Sequence, residues 1–488
     1  MCKAGHMQEA YELAKADLEQ SPTDVWAQRE VGWALYYLIR RDAENGQYDQ
    51  LLAHIDELQA MNQLTMANDH LIFENVVFWI GYFAKKNLPP SGIDTPARLS
   101  VLFAKVKDYT FTPCKGYSAL LEGFIRCEAW QEMADFIDWW NLDNLMPDDY
   151  QPVEITRGRK IMSVAERAYI AYSKALLRKN DPGRIEEFLP KMDELTEAHP
   201  EMTYPGYFYG KLLLSLGSTT EEALRVTLPF ARKKATGFWV WQLLSDVFSH
   251  DQEKQLACLV RAVNCRTPEN FLGKVRIKLA AFYIQRNQLD YAKYQIDKVT
   301  KCYLNNGWRL PYEVECWIHQ PWIRNVEAKD GSPIDYMTIT DGILCEGTEE
   351  ATAIVTYIDQ NTHKSTLIYG RKKSTKLKMR MKVKVGDVLA INYITESEDM
   401  VKILSARKNN LPTDLDYAKM VEGTVNKRAD KPFAFLRTGN GMIFISPNIV
   451  NKYHIQDGES VRSLAVYDFN RKRESWDWTC VTVNRNLS

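Results

Sequence analysis

The apolar residues of this 488-residue chain change their period once, near Asn305, and that change sets what the chain can fold into. Before it, apolar side chains recur at i, i+3 and i+4 with little β-branched alternation, the spacing that covers one face of a helix. After it, short runs alternate at period two, which lines one face of a strand. Ala353–Ile358, Ser365–Tyr369, Asp387–Tyr393, Met400–Leu404, Val421–Val425, Pro432–Leu436, Gly441–Ile445, Ser460–Val466 and Trp478–Val483 read as strands of this kind. The expected fold class is multidomain α + β, an irregular α-solenoid followed by two small β-barrels. The expected boundaries are 1–305 for the helices, 306–334 for a connector, 335–410 for the first barrel and 417–488 for the second. Gly307, Pro311, Pro321, Gly331 and Pro333 stop regular structure in the connector, while Trp308, Trp317 and Trp322 make it too apolar for a floppy linker. It should pack on the last helix.

Composition narrows the function classes. With 45% hydrophobic and 26% charged residues the chain has the balance of an ordinary globular protein. The longest apolar run, Val76–Ala84, is flanked by Glu74 and Lys85-Lys86 and is far short of the ~20 residues a membrane span needs, so no membrane partner is expected. The N-terminal residues lack the apolar core of a secretory signal, and nine scattered cysteines without a CxxC spacing read as reduced thiols, so a cytoplasmic location is expected. No HExxH, GxSxG, Walker A, GxGxxG or HxE…PCxxC pattern occurs. Cys316 and His319 could share one helix face, but without further ligands or a base partner the expected role is structural. The expectation is a protein that is not an enzyme, with no catalytic residue, no metal and no cofactor.

Charge is almost balanced overall, 62 Lys+Arg against 63 Asp+Glu, but it is unevenly placed. From Thr362 to Lys384 there are nine basic residues and no acidic one. In Lys376–Lys384 every even position is cationic: Lys376, Lys378, Arg380, Lys382 and Lys384. On a strand these charges would share one face at ~6.6–6.8 Å intervals, close to the phosphate repeat of an extended single strand. Lysines also shield edge strands from aggregation, but the density here exceeds what shielding needs. With Arg371, Lys372 and Lys373 this stretch is a candidate phosphate contact.

Four segments of the second barrel carry a pattern: Glu422-Gly-Thr-Val425, Lys431-Pro-Phe-Ala-Phe-Leu436, Ile443-Phe-Ile-Ser446 and Gly458-Glu-Ser-Val461. Together they resemble the cold-shock/S1 branch of the OB fold. The resemblance implies that Phe433, Phe435 and Phe444 stack on bases, with Lys431 as the basic neighbour. Pro432 and Ala434 stand where that family has glycines, Ser446 where it has His, and Lys427 near its stacking Trp. Phe433 and Phe435 share a strand face. They are either an outward stacking platform or barrel core, and the small Ala434 on the opposite face favours the outward reading. Arg471-Lys-Arg473, followed by Trp476 and Trp478, adds cations and rings that either reach nucleic acid or form a solvated hairpin tip.

In the helical part, Gly5 to Ala14, then Pro22, then Val31-Gly-Trp-Ala34 resemble a tetratricopeptide repeat; Leu279, Ala280, Tyr283, Asn287 and Ala292 resemble a second copy, with Asn at the turn. Small residues at the crossing let antiparallel helices approach to ~8–10 Å, and Pro ends a helix. Trp139, Trp140, Phe238, Trp239 and Trp241 either line a binding face or, the favoured reading, fill gaps between helices. Such an array before two S1/cold-shock-like barrels is similar to accessory proteins of the bacterial TOTE conflict systems. The expected function is a non-catalytic adaptor: the OB-like barrels bind single-stranded nucleic acid, RNA ahead of DNA, and the solenoid recruits a protein partner, in bacterial defence. The alternative is a protein scaffold whose barrels are structural or bind protein.

Overall fold

The computed structural model describes residues 6–110, 112–156, 158–379, 381–397, 400–470 and 474–485. Three candidate residues, Arg380, Arg471 and Arg473, lie outside these. The chain divides into two compact units, Met1–Lys329 and Asp330–Ser488.

Among the described residues the first unit has seventeen α-helices between Met7 and Asn325. It also has one hairpin, β1 (Val153–Thr156) and β2 (Arg159–Ile161), where the apolar period predicted only helix. Local chemistry marks the helix ends. Asp24 caps the helix Val25–Asn45 by accepting from the Ala27 N–H at 2.8 Å, and Gly46 ends it in the left-handed region at φ 72°. Thr219 and Glu222 form a reciprocal capping box at the start of Thr220–Lys234. A close crossing joins His70–Asn87 to Lys115–Phe124. A Cβ on Gly81 would lie 2.4 Å from the Ala119 carbonyl oxygen, and one on Gly116 would lie 2.3 Å from that of Glu74. The two backbones touch, which only glycine permits.

Gly32 lies beneath Leu64 and Ile72, and Ala280, Tyr283 and Ala292 are buried at helix crossings. Asn287 turns the chain at φ 55°. Any stack of helical hairpins needs small crossing residues and tight turns of this kind. Trp140 and Trp241 are fully buried. Trp140 stacks on Tyr117 at 4.7 Å, and each ring's polar atom donates to the other residue's carbonyl at 3.0 Å. These rings fill gaps between helices. The connector adds two short helices, Tyr312–Ile318 and Trp322–Asn325. Their Val314 and Ile323 enter the cluster of Ala280, Ile296 and Val299, and Trp317 and Trp322 pack against it. No helix among the described residues is long and apolar enough to cross a membrane.

The second unit opens with the helix Tyr336–Cys345 and continues with β3 (Glu349–Ile358), β4 (Ser365–Gly370), β5 (Lys373–Leu377), β6 (Val388–Ser397) and β7 (Met400–Lys408). Then come β8 (Ala418–Asn426), β9 (Ala434–Thr438), β10 (Gly441–Ile445), the helix Pro447–Tyr453, β11 (Ser460–Asn470) and β12 (Ser475–Asn484). The last five strands close in the order β10-β12-β11-β8-β9, with β9 returning to β10. Closure comes from one parallel contact, Phe444 opposite Thr479. A five-stranded barrel with a helix between its third and fourth strands is the OB arrangement. The first five strands follow the same connectivity in an open sheet, β5-β4-β3-β6-β7, a half-barrel.

The two sheets share a core. Ile354 and Ile368 of the half-barrel pack with Tyr417, Ala418, Leu464, Val466 and Val481 of the closed barrel. The Tyr417 hydroxyl donates to the Thr352 carbonyl at 2.6 Å. Burial above all, helped by the neighbouring Asp416 carboxylate, pushes that phenol up to about 12. Gly386, at φ +94°, approaches so closely that a Cβ would sit 2.3 Å from the Thr482 methyl.

Candidate nucleic-acid interface

The phenylalanines are built by strand parity. In β9, Ala434 and Leu436 are buried in the barrel core, so Phe435 and Arg437 face out. In β10, Ile443 and Ile445 are buried, so Met442 and Phe444 face out. Phe435 lies directly opposite Phe444 in the antiparallel ladder. Phe433, just before β9, completes a cluster with ring centroids 5.8 Å (433–435), 5.7 Å (433–444) and 5.8 Å (435–444) apart. All three rings are half-buried. The outward reading therefore describes the placement: three rings contact one another on the barrel's outer face, with part of each open to solvent.

Lys431 is exposed three residues before β9, with Asp430 at 3.6 Å, a weak surface pair. Lys427 is occupied elsewhere. Its backbone N–H donates to Asp457 at 2.7 Å and its ammonium donates to the Ile455 carbonyl at 3.1 Å. Ser446 caps the helix Pro447–Tyr453 by accepting from the Ile449 N–H.

The basic stretch differs from its expected form. β5 ends at Leu377, so of the four alternating cations among the described residues only Lys376 lies on a strand. Lys378, Lys382 and Lys384 follow in irregular chain, yet the alternation of exposure persists. Leu377, Met379, Met381 and Val383 pack against the half-barrel core, which leaves Lys376, Lys378, Lys382 and Lys384 outward. Period two here records burial of every second side chain, without a partner strand to hydrogen-bond. Lys372, with φ 61°, and Lys373 are exposed at the β4–β5 turn. Among the described residues none of Lys372, Lys373, Lys376, Lys378, Lys382 and Lys384 has a carboxylate within ion-pair distance. A run of unneutralised cations is costly unless solvent or a polyanion screens it.

Arg371 behaves differently. Its guanidinium lies 4.8 Å from the Tyr467 ring centroid and 4.0 Å from the Asp416 carboxylate. It belongs to an aromatic group on the β11–β12 hairpin, where Tyr467 meets Trp476 and Trp478 at 6.1 and 5.8 Å and Phe469 meets Trp476 at 5.6 Å. Lys419 covers Trp478 at 4.1 Å. Cation–π contacts from within the chain hold both cations.

Three contributors escaped the sequence reading. Arg437 shares the outer face with Phe435, two residues away, and period two alone would have found it. Tyr467 and Phe469 mirror Trp476 and Trp478 across the hairpin, a symmetry visible once its turn is placed.

Residues 419–483, from β8 into β12, match the family model described as S1/CSD-like domain 2 of the TOTE conflict systems. Residues 203–338 match a domain of unknown function (DUF7017), a span that runs through the connector. No curated protein matches the chain. The closed barrel is thus an S1/cold-shock-like OB domain by sequence model and by strand order alike.

Proposed function

We propose that the C-terminal unit binds single-stranded nucleic acid, RNA ahead of DNA, with little sequence preference, and that the chain is a non-catalytic adaptor whose helical unit recruits a protein partner. The observation that carries this reading is the cluster of Phe433, Phe435 and Phe444 on the outer face of a barrel matching an S1/cold-shock-like model. Each base offers a π-face, so stacking tolerates sequence and contributes ~1–3 kcal/mol per base. Arg437 and the unneutralised lysines supply the salt-sensitive part. The family description adds a setting, the TOTE conflict systems.

The test is fluorescence anisotropy of the full chain against labelled single-stranded RNA and DNA at several salt concentrations. Micromolar or tighter binding whose logarithm falls by about 0.7 per phosphate contacted per log unit of salt supports the reading. Absence of binding at low salt refutes it and leaves the barrels as protein-binding or structural modules.

A further inference from the structure

We propose that the two barrels form one continuous track, on which a strand stacked at the phenylalanine cluster leaves over β12 and continues along Lys384, Lys382, Lys378 and Lys376 of the half-barrel. This rests on the reading above and extends it from a single barrel to a footprint across both.

Three observations carry it. First, the relative position of the barrels is set by packing. Ile354 and Ile368 share a core with Leu464, Val466 and Val481, and Gly386 lies so close to Thr482 that an added Cβ would have to displace its methyl. Second, these contacts link the end of the basic stretch to the stacking face through β12. Phe444 pairs with Thr479 on β12, and Thr482, which meets Gly386, is three residues further along that strand, about 10 Å away at ~3.3 Å per residue. Lys384 is two residues from Gly386, and its backbone N–H donates to the Asp387 carboxylate at 2.9 Å, which fixes the loop. Third, the cations along the path are presented outward by the anchored Leu377, Met379, Met381 and Val383, and no carboxylate neutralises them among the described residues. Eight residues of fully extended chain would span at most about 25 Å, enough for several phosphates of a single strand. A polyanion is the occupant that this charge pattern fits; an acidic protein segment would leave the rings without bases to stack on.

The experiment compares labelled oligouridylates of 4 and 12 nucleotides on the full chain, the shorter at the lower limit of the ~4–16 nucleotides that one OB fold covers. The 12-mer is expected to bind more tightly with a steeper salt dependence. In Lys382→Glu/Lys384→Glu its affinity drops at least about tenfold and its slope against log salt shrinks by about 1.4, two contacts' worth. The 4-mer, which occupies the phenylalanines alone, stays within about twofold, and this also shows that the variant is folded. Gly386→Ala keeps every cation but wedges the barrels, and should weaken the 12-mer selectively. Equal losses at both lengths, or a 12-mer indifferent to the substitutions, overturn the track while leaving stacking at the phenylalanines intact. If the unaltered chain binds neither length, the nucleic-acid reading itself falls, and the track with it.

Discussion

The shared core between the barrels makes a prediction that independent barrels would not obey. Val466 is fully buried on the outer face of β11, against Ile354 and Ile368 of the half-barrel. Val466→Ala removes two buried carbons, about 1.6 kcal/mol of transfer free energy at ~0.8 kcal/mol per carbon, and the cavity left behind adds to it. A loss of about 2 kcal/mol corresponds to roughly a thirtyfold increase in the open population, since 1.4 kcal/mol is tenfold. Unfolding of a chain with two units is not two-state, so the readout must be local. Hydrogen exchange with mass spectrometry of the full chain provides it. Peptides covering β11 and β12 should exchange faster by that factor, and so should peptides covering β3 and β4, which lie in the other sheet. Acceleration confined to β8–β12 would refute the shared core and with it the rigid placement of the basic stretch.

Phe435→Ala should weaken single-stranded RNA binding by about tenfold, within the ~1–3 kcal/mol expected per stacked base, while the salt slope stays the same. An altered slope with unchanged low-salt affinity would show that the ring does not stack. Gly81→Ala forces a methyl against the Ala119 carbonyl and should cost ~1–3 kcal/mol or more, seen as a lower melting temperature of the helical signal; an unchanged melt would mean that the crossing relaxes freely. The Tyr417 phenol, raised from 10.0 to about 12, holds its proton more tightly folded than unfolded. Its contribution is therefore complete below pH 10 and is lost as pH rises through 12. Thermal melts at pH 9 and 11.5 should show a larger alkaline loss in the unaltered chain than in Tyr417→Phe, and equal losses would contradict it.

The period of the apolar residues made the order of helices and strands legible, because burying one face of a helix or strand imposes a spacing that no other arrangement satisfies. It also placed Phe433 and Phe435 opposite Ala434, and the barrel wall confirms that parity. The same rule failed at Lys376–Lys384. There Met379, Met381 and Val383 bury at period two on the open side of the half-barrel without a hydrogen-bonded neighbour, so a pattern of burial looked like a strand. The hairpin at 153–161 was also missed: two strands of four and three residues are too short to show a period.

The chain's sequence by itself determined the order of helices and strands, the shared face of Phe433 and Phe435 and the density of positive charge at 362–384, because each depends on neighbours within a few residues. Tertiary structure alone decided which cations are held and which are open. Arg371 and Lys419 are covered by rings more than fifty residues away, whereas Lys382 and Lys384 meet none among the described residues. It alone decided, too, that the two barrels are one body. That outcome rests on Ile354, Ile368, Tyr417 and Val466, residues whose periodicity says only that they are buried, while long-range packing chooses what they are buried against.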